Sequence, residues 1–292
     1  MTPAAPRDAA TVMLVRPVAR PAAARSAAAG PVSGTEVYML RRQRSMAFAP
    51  GAYVFPGGSV GDSDSEGGHG WAGPPAGQFA SAVGLPAAGT ETLIRAAVRE
   101  TFEECGVLLA GRSAEAALGD TSGEDWEADR QALAGKSVSL AELLIRRGLM
   151  LRSDLLTPWS RWITPEAEPR RYDTRFFVAR LPQGQHALGG TGESDEAAWL
   201  RPDAALAAAE AGDLVLLPPT AVTLQELAAH PEVAAMVGTR RQIVLRQPVI
   251  TFTDGQAWLV IPDAGIPASP RARRPGPGEA DTAEDQGASD DH

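Results

Sequence analysis

The chain has 292 residues, 44% of them hydrophobic, with a formal net charge of -9, a length that suits one large domain or two small ones. The acidic balance argues against a binder of nucleic-acid backbones, which carries a basic patch, but it leaves room for small phosphorylated molecules held by local arginines and metal. A single cysteine, Cys105, excludes an internal disulfide, and no apolar run reaches the about 20 residues that a membrane-spanning helix needs.

The N-terminus is rich in alanine, arginine and proline, poor in acid, and superficially resembles a transit peptide. The short apolar run at 11–16 reads instead as a first strand. Residues 17–34 form a loop, residues 35–41 alternate partially as a second strand, and residues 52–55 make a third. Residues 61–90 are mostly Gly, Ser, Asp, Pro and Ala and read as an inserted loop, with Trp71 and Phe79 as its pins and His69 in solvent.

Residues 91–105 predict a helix. At about 100° per residue, Glu100, Glu103 and Glu104 share one narrow stripe, with Ile94, Val98, Thr101, Phe102 and Cys105 roughly opposite. Gly106 supplies the stop. Like charges one turn apart destabilise a helix by roughly 0.2–0.5 kcal/mol per pair, and a divalent cation reverses that sign, since Mg²⁺ prefers oxygen ligands shared with substrate phosphates. Arg99 lies one turn before Glu103 and can fix its rotamer. The plainer alternative is a solvated acidic face.

Beyond the helix, residues 111–123 read as a linker and 125–134 as a short helix. Ser139 and Glu142 form a capping box that opens a helix ending near Gly148. Residues 158–178 hold Trp159 and Trp162, suited to core packing or to substrate stacking, and a strand whose basic end is Arg170 and Arg171. Arginine suits bidentate phosphate contacts, with solvent exposure as the alternative. Residues 193–200 carry Glu193, Asp195 and Glu196 ahead of Trp199. Helices follow at 202–210, 220–229 and 231–237, then strands at 242–251 and 257–261 joined by an Asp254-Gly255 turn. From Asp263 the chain is Pro, Gly, Ala and charge, seven acids against three arginines, net -4, and predicts a disordered acidic tail over 263–292. Its Asp-Asp-His end is not a peroxisomal address. A cytoplasmic protein is expected.

The run Arg99-Glu100-x-x-Glu103-Glu104-x-Gly106-Val107 resembles the core of the Nudix box of Nudix hydrolases. Glu91, with seven residues between it and Arg99, stands at the box's earlier glutamate, and Phe55-Pro56-Gly57-Gly58 resembles the strand end and glycine pair that open the box. Two departures mark this chain: Thr101 at a usually aliphatic position, and residues 59–90 where the family has five residues. The stretches at 49–58, 102–109, 162–165, 170–177 and 216–220 are similar to the acyl-coenzyme A diphosphatase branch of the family. Gly51 fits the short signature of other coenzyme A enzymes, whereas Ala47 stands where that signature has arginine.

The resemblance implies an α/β sandwich with a mixed sheet over residues 9–262, a long insert before the helix and extra C-terminal helices. It implies Glu100, Glu103 and Glu104 as ligands of Mg²⁺ or Mn²⁺, Arg99 and Glu103 as catalytic residues, and Phe55, Gly57, Gly58 and Arg171 at the substrate. Glu196 is a further candidate near the metals. The implied reaction is hydrolysis of (acyl-)coenzyme A to 3′,5′-ADP and (acyl-)phosphopantetheine. ADP-ribose, NADH or another nucleotide as substrate remains an alternative, as does an inactive Nudix fold kept as a ligand-binding or regulatory module. The expected partner is a small phosphorylated molecule, with no nucleic acid and no membrane.

Overall fold

The structure is a computed structural model and describes residues 3–18, 34–46, 49–189, 194–230, 232–253, 256–261 and 269–270. The chain begins with β1 (Arg7–Pro17), β2 (Thr35–Arg42), β3 (Ala52–Val54) and β4 (Gly57–Ser59). Next come β5 (Gly70–Ala72), α1 (Ala80–Val83), the long α2 (Ala87–Cys105) and β6 (Ala110–Gly111). The middle holds α3 (Glu124–Ala134), α4 (Leu140–Arg147), β7 (Met150–Arg152), β8 (Thr157–Ile163), β9 (Tyr172–Arg180) and β10 (Ser194–Leu200). The last part is α5 (Pro202–Glu210), β11 (Val215–Leu216), α6 (Pro218–Ala228), α7 (Val233–Met236), β12 (Leu245–Arg246), β13 (Val249–Thr253), β14 (Gln256–Val260) and β15 (Ser269–Pro270).

The principal sheet is mixed. It runs β11-β3-β2-β1-β9-β8-β12, with β10 also paired to β2 and β4 to β1. β1 lies parallel to β9, Arg7 opposite Tyr172, and antiparallel to β2 and β4. Both faces of the central strands are buried, which is why residues 11–16 read as a continuous apolar run rather than an alternating one. Val12, Leu14 and Phe177 point to one core with Ile94, Val98 and Phe102 of α2. Met13, Val15 and Val178 point to the other, with Val222, Leu224 and Leu227 of α6. The result is the expected α/β/α sandwich, and the predicted apolar stripe of α2 is its buried side.

The insert departs from a plain loop. It carries a 3-10 turn at Asp62–Ser65, β5, a second 3-10 turn at Ala76–Gln78 and α1. β5 joins β7 and β6 in a small sheet, and α2 begins at Ala87 rather than at residue 91. These pieces are too short for periodicity to show, and their partner strand β7 lies some 80 residues away in sequence. The two aromatic pins hold as expected: Phe79 is buried, and the Trp71 indole N–H donates to the Pro74 carbonyl at 3.0 Å. The α4 capping box also forms, with Ser139 and Glu142 each accepting from the other's backbone N–H, at 3.2 and 2.9 Å. The expected strand over 242–251 is instead two short ones, β12 and β13. Ser269–Pro270 pairs with β14, while the rest of the predicted tail, Asp254-Gly255, Glu193, Ala47 and most of the 17–34 loop lie outside the described residues.

Candidate active site

α2 stops where Gly106 adopts φ 69° and a left-handed turn. Its last two turns lay Glu100, Glu103 and Glu104 along one cavity of about 830 Å³, with the glycine strand β4 packed directly beside them. The Gly57 N–H donates to Glu104 Oε2 at 2.7 Å. Gly58 is there for space: a Cβ on it would sit 2.3 Å from Glu100 Oε1, so any side chain would expel the carboxylate. The predicted Gly57 and Gly58 therefore meet the predicted Glu100, Glu103 and Glu104 in one place.

Arg99 is locked among them. Its Nη1 donates to Glu100 Oε1 at 2.8 Å and to Glu103 Oε1 at 3.3 Å. Its other edge makes a bidentate pair with Asp64, Nε to Oδ1 at 2.8 Å and Nη2 to Oδ2 at 2.9 Å. Burial would lower the Arg99 pKa, but the Asp64 hydrogen bonds and the surrounding carboxylates outweigh it and hold the guanidinium charged. Burial also pushes Glu100 up to about 7 despite Arg99 beside it, and raises Glu103.

The expected contact between Arg99 and Glu103 forms, but the bidentate partner of Arg99 is Asp64; Glu91, which the sequence places at the box's earlier glutamate, forms an ion pair with Arg95 one turn along the helix and does not line the cavity. Five residues separate Gly58 from Asp64, the family's own spacing. The insertion therefore falls after the box's first acid, and that acid is an aspartate. Arg95 adds to the clasp, donating to His69 Nε2 at 3.0 Å and to the Asp64 carbonyl at 3.3 Å, so His69 is anchored rather than free in solvent.

The far wall comes from α3, α4 and their connection. Arg130 Nη1 donates to the Glu103 carbonyl at 2.7 Å, satisfying an open acceptor at the end of α2. Lys136, the only lysine in the chain, lines the cavity with a left-handed φ of 57°. A side-chain-bearing residue in that region is strained, and such strain gathers at functional sites. Asp64, Arg130, Lys136 and Tyr172 were not among the sequence candidates. Asp64 alone carried a readable signal, its spacing from Gly58.

Other candidates lie elsewhere. Phe55 is buried and packs edge-on against Phe176, ring centres 6.5 Å apart, so it backs β4 from the second core and does not line the cavity. Arg171 is buried and donates to the carbonyls of Thr164 and Ala4 at 3.1 and 2.8 Å, away from the carboxylates. Glu196 pairs with Arg41 at 2.8 Å and is also outside the cavity. Trp159 and Trp162 are core residues. Cys105 is a packed thiol whose pKa burial pushes up to about 12.

The donor set suits a hard divalent cation. Three carboxylates share one wall of a polar cavity, and two of them carry pKa values raised by burial, a cost that a bound cation would offset. In the arrangement described they are held by Arg99 and Gly57, and no three described His, Cys, Asp or Glu side chains already converge on one point. No described helix is long and apolar enough to cross a membrane.

A family model described as the NUDT19 Nudix domain matches residues 83–227. The chain is 27% identical over 218 residues to the putative nudix hydrolase 7 of Caenorhabditis elegans, a match covering 74% of this chain and 64% of that one. It is 28% identical over 253 residues to the acyl-coenzyme A diphosphatase NUDT19 of Gallus gallus, covering 73% and 65%. It thus spans slightly less than two thirds of the length of the curated relatives it matches. A crystal structure of a NUDIX hydrolase from Alicyclobacillus acidocaldarius superposes with a TM-score of 0.62 at 27% identity, over 82% of this chain and 98% of that one. With the carboxylate helix packed against the glycine strand beside one cavity, these likenesses make the chain similar in sequence and fold to Nudix hydrolases, and to the NUDT19 branch among them.

Proposed function

We propose that the chain is a metal-dependent diphosphatase that cleaves (acyl-)coenzyme A into 3′,5′-ADP and (acyl-)phosphopantetheine. The observation that carries this reading is the wall shared by Glu100, Glu103 and Glu104, ordered by Arg99 and facing a cavity large enough for a diphosphate. The substrate comes from likeness to the branch whose members are named acyl-coenzyme A diphosphatase. Mg²⁺ or Mn²⁺ held by these carboxylates would neutralise the diphosphate oxygens and acidify the attacking water.

The remaining work belongs to the chain's own residues. Arg99 fixes Glu100 and Glu103 and is itself fixed by Asp64. The Gly57 N–H sets the Glu104 rotamer. Water adds to one phosphorus, the bridging P–O bond breaks, and a carboxylate of the cluster, Glu103 in this reading, takes the water's proton. Lys136 and Arg130 on the opposite wall offset the charge of the bound diphosphate.

The test is a substrate panel of coenzyme A, acetyl-coenzyme A, ADP-ribose and NADH with Mg²⁺ or Mn²⁺, products identified by mass, and Glu104→Gln as the control. Expected are 3′,5′-ADP as product and a loss of activity by orders of magnitude in Glu104→Gln with folding intact. Preference for ADP-ribose or NADH would overturn the substrate. Binding without turnover by the wild type would overturn the enzyme reading.

A further inference from the structure

Next to the carboxylate cavity lies a second one of about 360 Å³, lined by Arg7, Arg170, Arg171 and Tyr172 together with Ala4 and Pro169. Tyr172 lines both cavities, so the two are neighbours across one side chain. They differ in sign. The first is lined by five glutamates and Asp62, while no described carboxylate lines the second.

The second cavity is built rather than accidental. Arg171 is buried and spent on the Thr164 and Ala4 carbonyls, which ties the start of the chain to the turn before β9. The Arg7 N–H donates to the Arg171 carbonyl at 2.9 Å, and Thr164 and Tyr172 close the turn with backbone and hydroxyl bonds of 2.9 and 3.0 Å. Arg7 and Arg170 flank that fixed floor. Neither pairs with a carboxylate among the described residues, although many arginines in this acidic chain do. The acids closest along the strands are already taken: Asp8 by Arg175, and Asp173 by Arg161 and Arg175. Two available guanidinium groups over a rigid cationic floor suit an oxyanion, because arginine presents its donors in a fork that matches phosphate.

Position supplies the rest. Arg7 sits on the same strand as Ala9 and Ala10, which pair with Ser59 and Gly58 of the carboxylate cavity. Two to three residues of strand span about 7–10 Å. One ligand can therefore place a diphosphate at the glutamates and a second phosphate at the arginines if a ribose-sized spacer joins them.

We propose that the Arg7–Arg170 cavity is an anion subsite for a phosphate monoester carried on the substrate's nucleoside, the 3′-phosphate of coenzyme A. The assignment rests on the hydrolase reading for the identity of the ligand but not for the existence of the site. Arg171, the candidate from sequence, serves as scaffold, and selection falls to Arg7 and Arg170.

The test has two arms on the full chain. In the first, kcat/KM for coenzyme A and for dephospho-coenzyme A is measured on wild type, Arg7→Ala, Arg170→Ala and the double variant at one Mg²⁺ concentration. The preference for coenzyme A should fall about tenfold or more in the double variant, through KM, with partial recovery in Arg170→Lys. In the second, equilibrium binding of 3′,5′-ADP and of 5′-AMP is compared by calorimetry without metal. The wild type should favour 3′,5′-ADP, and the double variant should lose that margin. An unchanged preference in the double variant, or a wild type that binds both nucleotides equally, overturns the subsite. If the wild type cleaves neither coenzyme, the hydrolase reading fails, and the binding arm alone decides the subsite.

Discussion

The sharpest test of the site's architecture sets Asp64→Ala against Glu91→Ala. Asp64 is fully buried and makes two charge-assisted bonds to Arg99, whose side chain is 11% exposed. It also accepts from the Gly61 N–H at 2.8 Å, closing the turn that carries it. Breaking a buried ion pair by removing one partner costs about 3–5 kcal/mol. Arg99 keeps Glu100, Glu103 and the Ser59 carbonyl, so the lower end applies. At roughly 2–4 °C per kcal/mol for a chain of this size, about 3 kcal/mol lowers Tm by roughly 6–12 °C. Glu91 is 43% exposed in its pair with Arg95. Discounted for solvent, that pair is worth only about 0.3–0.5 kcal/mol, or roughly 1–2 °C. Activity should diverge as well. Without Asp64, the guanidinium that orients Glu100 and Glu103 is no longer fixed at its other edge, and losing such an outer partner costs about 10–100-fold in metal affinity or turnover. Glu91→Ala should leave both nearly unchanged. Thermal unfolding with and without Mg²⁺, plus steady-state hydrolysis, reads all of this. A Glu91→Ala variant as damaged as Asp64→Ala would refute the assignment of Asp64 as the partner of Arg99.

Gly58→Ala should fold with a loss of about 1–3 kcal/mol from overpacking against Glu100 and lose most of its metal response, as read by Mg²⁺ titration of Tm; a normal response would show that Glu100 is not a ligand. Lys136→Gly and Lys136→Ala separate charge from strain: both should lower kcat/KM about tenfold, while only the glycine variant is freed of the left-handed penalty and unfolds at the higher temperature. Equal activity to wild type in both would remove Lys136 from substrate binding. His69 has its pKa lowered, chiefly by burial. The unfolded chain therefore takes up its proton first, so His69 supports stability above about pH 6.5 and that support is lost as pH falls through the depressed folded value. His69→Gln should flatten this part of the stability profile, and an unchanged acid slope would count against the Arg95–His69 contact.

Much of the site was legible because it is local. The stripe of Glu100, Glu103 and Glu104 opposite Ile94, Val98 and Phe102 follows from 3.6 residues per turn, and burial on one side of α2 needs only a sheet to receive it. The capping box at Ser139 and the stop at Gly106 are equally short-range. Gly58 stands out because only a residue without a side chain lets strand and carboxylate approach so closely, and at Gly57 a side chain would collide with Ala10 and Thr11 of β1.

What tertiary structure alone decided involves residues far apart in sequence. On spacing alone, the partner of Arg99 is Glu103. Only the folded insert shows that Asp64 arrives from 35 residues away and that Glu91 is too far up the helix. Arg171 looks like a phosphate ligand until the carbonyls of Ala4 and Thr164 are seen to occupy it. Arg7 has no meaning as a site residue until the parallel pairing of β1 with β9 sets it beside Tyr172. Lys136 enters the cavity through the connection of two helices whose own sequence says nothing of the glutamates opposite. Periodicity and caps report which face of an element is buried. Which charged side chain meets which depends on the register and crossing of elements distant in sequence, where Coulomb and hydrogen-bond terms act over a few ångströms of space with no memory of chain distance.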